Sequence, residues 1–157
     1  MWHSSQPRKM NGAFNIAVSE FLEVPESANP KISPVASQLL FGFLDDEYRL
    51  EDFGFNVDIS HERIGVISEA ERAKSTAQSI NADIVIYGDI TVLDDIATML
   101  PKFYINELYS NDLSEISGQH QLAIPLEFNV NEVVQYDSNV NTLLRERALI
   151  LIEFTKS

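Results

Sequence analysis

The sequence predicts an α/β domain built on a mixed sheet, with a parallel βαβαβ core and antiparallel strands added to it. Three observations carry this expectation. Residues Ala82-Asp83-Ile84-Val85-Ile86-Tyr87-Gly88-Asp89 contain a continuous apolar run, which is how a strand reads when both of its faces are covered, as inside a parallel sheet. A second strand-like segment, Phe14 to Phe21, alternates Phe14, Ile16 and Val18 with Asn15, Ala17 and Ser19. Between the two lie segments whose apolar residues recur at helical spacing, the pattern of strands joined by crossover helices.

The elements follow in order. Met1 to Met10 hold basic and polar residues without an apolar centre, so they do not form an intact signal peptide. Residues 1–12 are expected to stand outside the fold, as a disordered tail, a remnant of a longer amino terminus or an engineered start; residues 13–157 are expected to form one domain. After the first strand, Glu23 to Lys31 carries Pro25 and Pro30 and reads as a loop. Ser33-Pro34 is a helix start, serine as N-cap and proline at the first helical position. Val35, Leu39, Leu40, Phe43 and Leu44 then give a helix to about Asp52.

A second strand is expected over Gly54 to Ser60, with Phe55, Val57 and Ile59 on one side. Ser68-Glu69-Ala70-Glu71 has capping-box spacing, and Ala70, Ala73, Ala77 and Ile80 make the buried stripe of a second helix. The strand at Ile84 comes next, with its carboxyl end at Gly88-Asp89. Ile90 to Leu93, Phe103 to Tyr109 and Leu122 to Val130 read as further strands, with loops around Asp94 and Asn111, and Pro125 pushes the last of them toward a sheet edge. Ser138 caps a final helix running toward Phe154. The sequence contains no internal repeat.

Composition narrows the function. The 157 residues, 45% hydrophobic, suffice for a core without staples. A net charge of −13 with only 11 scattered Lys and Arg disfavours nucleic acid and anionic membrane surfaces, which bind through clustered basic residues. Arg8-Lys9 and Arg145/Arg147 lie close together. The chain has no cysteine, which excludes zinc-thiolate sites and thiol catalysis. No run reaches the length of a membrane span.

Chemistry-bearing motifs are scarce. A phosphate cradle needs a glycine-rich turn between strand and helix. The turn from Leu22 to Ser33 has no glycine, and its Glu23 and Glu26 repel phosphate. Asp45-Asp46-Glu47 and Asp94-Asp95 lack the spacing and glycine of a calcium loop and read as solvated carboxylates. His61 and His120 have no helix-face partner, His3 belongs to the tail, and no Gly-x-Ser-x-Gly elbow occurs. No catalytic residue, metal ligand or cofactor is therefore expected. Asp89, with Ser60, is the place to look for a small ligand, because open α/β sheets bind at the carboxyl ends of their strands.

One feature points toward a partner. Ala148-Leu149-Ile150-Leu151-Ile152 is apolar all round, whereas a helix lying on one core needs only a stripe. A docking helix over Leu143 to Phe154 is therefore expected, with Leu149, Ile150 and Ile152 meeting a protein partner, an adjoining domain or a second copy; an ordinary buried strand is the other reading of this segment.

The segments Phe14 to Phe21, Ala82 to Gly88, Phe103-Tyr104-Ile105 and Gly118-Gln119-His120 together resemble an α/β module found amino-terminal to tetratricopeptide repeats in large bacterial proteins. More loosely, the first two are similar to the amino-terminal domain of TolB and to the curli-secretion lipoprotein group. The resemblance covers most of residues 13–155 and implies a TolB amino-terminal-like fold. It also implies an extracytoplasmic bacterial setting, since a membrane segment often precedes the module, and it carries no catalytic residues. Leu143 to Ala148 match the segment that leads into the first repeat helix, which would account for the over-apolar surface; here the sequence closes at Ser157 with no repeats. The function expected is a non-catalytic interaction or sensor module. Its rival is a small-ligand-binding or hydrolytic domain working at the carboxyl ends of the parallel strands near Leu22, Ser60 and Asp89. A pocket there would favour the rival, and a loop-filled sheet end the interaction module.

Overall fold

The computed structural model describes residues 7–24, 33–50, 56–105 and 125–129. Eight elements lie within them: β1 (Phe14–Val18), β2 (Leu22–Val24), α1 (Ser33–Leu50), β3 (Val57–Ser60), α2 (Ala70–Ile80), β4 (Ile84–Leu93), β5 (Ile96–Ile105) and β6 (Leu126–Asn129). The strands form one mixed sheet in the order β3-β1-β4-β5-β6, with β2 also paired to β4. β1 runs parallel to β3 and β4, and β2 runs parallel to β4. The β4–β5 and β5–β6 pairs are antiparallel. The chain is an α/β fold, and the apolar run from Ile84 lies in the interior of the sheet.

The alternation of β4 assigns the two faces. Ile84, Ile86 and Ile90 join Ile16, Val18, Phe21, Met99 and Leu126 in a cluster with Ala36, Leu40 and Leu44 of α1. Val85 and Tyr87 point the other way and join Ala17, Ile64 and Ile67 with Ala73, Ala77 and Ile80 of α2. The helices thus cover opposite faces, and β4 is apolar throughout its first half because it is walled on both sides. The small alanines of α2 let its backbone sit close to the sheet. At its end Asn81 takes the left-handed conformation (φ 64°) and its N–H donates to Ala77, a capping geometry asparagine tolerates.

Several boundaries differ from expectation for identifiable reasons. Gly88 does not end its strand: β4 continues to Leu93, so the separate strand expected at Ile90 is the same one. Gly88 holds φ +139°, and a Cβ there would collide with the carbonyl oxygen of Leu100. Glycine here permits close approach of β5 rather than a turn. The turn falls at Asp94-Asp95, where a loop was expected and Asp94 has φ 55°, but β5 begins at Ile96, ahead of the strand expected at Phe103.

Glu23 lies in β2 rather than in a loop. The capping box is not realised: the N-cap of α2 is Glu69, without a side-chain cap hydrogen bond. The neighbouring Ile67 is held by the sheet through both its N–H and its carbonyl, which delays the start of the helix. Ala70, expected in the buried stripe, is exposed.

The amino-terminal segment is also corrected. Residues 7–12 do not stand apart as a tail: Met10 is buried in the α2-side cluster, and its N–H donates to the Ile80 carbonyl at 2.8 Å. A bidentate ion pair ahead of it, detailed below, and the burial of an unbranched apolar side chain hold this segment in place. The expected final helix, with Leu149, Ile150 and Ile152, lies outside the described residues, as do His3, Glu26, Asn111 and His120.

Candidate functional site

The carboxyl end of the parallel strands is where open α/β sheets place ligands, and among the described residues main chain occupies the part of it beside β1 and β4. β1 pairs with β4 as far as Val18 opposite Ile86, and β2 resumes with Leu22 opposite Asp89. Ser19, Glu20 and Phe21 therefore stand opposite only Tyr87 and Gly88, a bulge with one extra residue. The bulge turns Phe21 into the α1-side core, where it is 1% exposed. It also leaves a gap beside Gly88, and the segment from Ile64 to Ile67 enters it. Glu20 N–H donates to the Gly65 carbonyl at 2.8 Å, Ile67 N–H to the Glu20 carbonyl at 3.2 Å and Gly88 N–H to the Ile67 carbonyl at 3.3 Å. Left-handed backbone at Arg63 and Gly65 turns the chain into this position.

The candidate ligand residues are not brought together. Ser60 closes β3 opposite Ala17, which is level with Val85 on β4, and its side chain is buried. Asp89 lies further along β4, roughly 13 Å by strand rise and two strands across. It is a mid-strand residue facing Lys102 at 3.9 Å, not a residue at a strand's end. His61 packs its ring on Phe41, centroids 4.2 Å apart. Asp45 pairs with Arg49 one turn later at 2.9 Å, and Asp94-Asp95 form the exposed hairpin turn. Among the described residues no group of three His, Asp or Glu could hold a metal ion, and no helix is long and apolar enough to cross a membrane.

The amino end of the same strands is bound together by polar side chains. Buried Asn15 accepts Gly12 N–H at 2.7 Å and donates to the Asn81 carbonyl at 2.9 Å. Its backbone N–H donates to the Asp83 carboxylate at 2.8 Å, and Asp83 N–H donates to the Asn15 carbonyl at 2.8 Å. Arg8 grips Asp58 with two bonds, 2.8 and 2.6 Å, and Asn11 N–H adds a third at 3.1 Å. The Arg8 guanidinium, aided by the Asn11 N–H and opposed by burial, holds the Asp58 carboxyl below the usual carboxylate range. Burial pushes Asp83 the other way, raising it against the lowering effect of the Asn15 N–H. Asparagine and aspartate here replace the partners that frayed strand ends would lack.

One surface was not anticipated. Past Gly88 the face opposite α1 is no longer covered by α2. Leu22 and Val24 of β2, Leu93 of β4, and Ile96 and Leu100 of β5 share that face by register. They are 40, 43, 74, 45 and 36% exposed respectively, with Thr91 and Thr98 between them. The signal was legible in part: Leu22 and Val24 alternate with Glu23, and Leu93 and Ile96 flank the Asp94-Asp95 turn. The α1-side face is buried along the same stretch, with Ile90, Ala97 and Met99 at 0%.

No family model matches the chain, and no curated protein matches it. Among solved structures, a PelC dodecamer from Paraburkholderia phytofirmans is similar at 14% identity, over 93% of this chain and 90% of that one, with a TM-score of 0.41.

Proposed function

We propose that this chain is a non-catalytic interaction or sensor module of a larger bacterial, extracytoplasmic assembly. The observation that supports it is the closed carboxyl end of the parallel strands: the bulge at Ser19 to Phe21 and the segment from Ile64 to Ile67 occupy the place a ligand would take. Ser60 and Asp89, the residues a small-ligand site would use, lie apart on the sheet. The resemblance to the α/β module preceding tetratricopeptide repeats, and more loosely to the TolB amino-terminal domain, agrees with this role and supplies its setting.

Two measurements test the proposal. Calorimetry with ATP, NAD and divalent cations is expected to give no saturable heat; a stoichiometric signal would favour a ligand-binding or hydrolytic domain instead. Sedimentation velocity beside thermal melting tests docking through the carboxy-terminal segment, where each of Leu149, Ile150 and Ile152 would contribute ~1.5–3 kcal/mol if fully buried on association. Leu149→Glu or Ile152→Glu is expected to weaken assembly more than it lowers the melting temperature. A monomeric wild type whose variants merely unfold would remove that segment from the interface.

A further inference from the structure

Resting on the interaction-module reading, the geometry points to a specific docking surface: the uncovered half of the α2-side sheet face, which we propose receives a basic amphipathic helix from a partner protein. A sheet face carrying large apolar residues is normally covered by another layer. On this face α2 provides that layer only as far as Tyr87, and the five apolar side chains from Leu22 to Leu100 continue it partly exposed, with no described helix over them.

The shape favours a helix. The exposed groups spread across the face of three strands, β2, β4 and β5, so a strand added beside β2 would adjoin only Leu22 and Val24 and leave Leu93, Ile96 and Leu100 uncovered. The strands span roughly 15 Å at ~4.8 Å spacing, enough for one helix of ~10 Å diameter lying beside α2. The exposed apolar area is on the order of 400 Å², below the ~800 Å² per partner of a standard stable interface. That suits a single helix better than a second copy of the whole domain.

Charge selects the partner further. By register the charged side chains of β2, β4, β5 and β6 on this face are Asp89 and Glu127 against Lys102, and exposed Asp94-Asp95 form the hairpin turn at its end. Lys102 is already directed at Asp89. An apolar centre edged by carboxylates complements a leucine stripe flanked by Lys or Arg. A second copy would bring the same carboxylates together, on a chain already at −13.

The test uses the full chain and a synthetic helical peptide with a leucine stripe flanked by lysines, beside its glutamate counterpart. The lysine peptide is expected to bind saturably, shifting the amide resonances of Leu22, Val24, Leu93, Ile96 and Leu100. Leu93→Ser with Ile96→Ser should weaken it about tenfold or more, as loss of central apolar contacts does, while α1-side resonances stay unchanged. Asp94→Asn with Asp95→Asn should weaken it less and flatten its salt dependence. Shifts elsewhere, equal binding of the glutamate peptide, or indifference to the leucine variant would each overturn the proposal. Dimerisation of the chain through this face would overturn it too. If the peptide fails while assembly through Leu149 and Ile152 persists, this surface falls and the interaction-module reading stands; a stoichiometric nucleotide or metal heat removes the latter.

Discussion

The two ends of the parallel strands are held by different means. The amino end is tied by side chains: Arg8 to Asp58, Asn15 to Gly12 and Asn81, and Asp83 to Asn15. The carboxyl end is closed by backbone: Glu20 to Gly65 and Ile67, and Gly88 to Ile67. Side-chain ties depend on residue identity and protonation, whereas backbone ties depend on which conformations the residues allow. The first end should therefore respond to pH and polar substitutions, and the second to steric ones.

The sharpest way to break this contrast is Gly88→Val. It combines a disallowed φ with a collision against Leu100 and should cost about 3–5 kcal/mol, read as a lower denaturant midpoint; a cost under about 1 kcal/mol would mean that the strands do not approach so closely. Next comes Asn15→Ala at the other end. It leaves the Asn81 carbonyl and Gly12 N–H without their partner and should cost about 2–4 kcal/mol. If Asn15→Ala proved harmless, the amino end would not depend on side chains as described.

Arg8→Ala should cost less, about 0.5–1 kcal/mol, because the arginine is half exposed and such pairs are screened. Its effect should shrink in high salt, whereas that of Gly88→Val should not.

Protonation separates two members of the amino-end network by sign. Asp58 is depressed in the folded state, so its stabilisation is present above the usual carboxylate range and is lost as pH falls through its folded pKa. Asp83 is raised, so it favours folding when protonated, and that contribution declines as pH rises from the usual range through its folded pKa. Replacing Asp58 by Asn should flatten the acid limb of a stability–pH curve, and replacing Asp83 by Asn should flatten the weakly acidic decline above it. Matching curves for both variants would contradict the assignment. The smallest effect is expected at Lys102→Ala, whose 3.9 Å approach to Asp89 on a solvated face should matter by less than about 0.5 kcal/mol.

The sequence made the interior position of Ile84 to Tyr87 legible because burial on both faces writes an unbroken apolar run. It also made Pro125 legible as an edge signal, and β6 lies at the end of the sheet order among the described strands. Gly88 misled because a glycine needed for close approach looks, in one dimension, like a glycine that ends a strand. The bulge was invisible because the extra residue is defined by pairing with β4, far away in sequence. Arg8 and Met10 were taken for a tail because their partners, Asp58 and Ile80, are likewise distant. The open half-face was missed for the opposite reason: its residues read as ordinary strand apolar positions, and only the place where α2 begins shows that some lack cover.

The β4–β5 hairpin carries a consequence for the order of assembly. Ten residue pairs, from Leu93 opposite Ile96 out to Ile84 opposite Ile105, close through a two-residue turn and so require little loop closure. β1, by contrast, reaches its interior place between β3 and β4 only once β4 exists, although it is made first. Growing on a ribosome at ~5–20 residues per second, the segment through Val18 would wait on the order of ten seconds for Ile105. During that interval β3, complete at Ser60, is the one described strand available to pair with it. The hairpin is therefore expected to gain hydrogen-exchange protection before β1 does when the chain refolds from denaturant, and the first strand synthesised to be among the last secured.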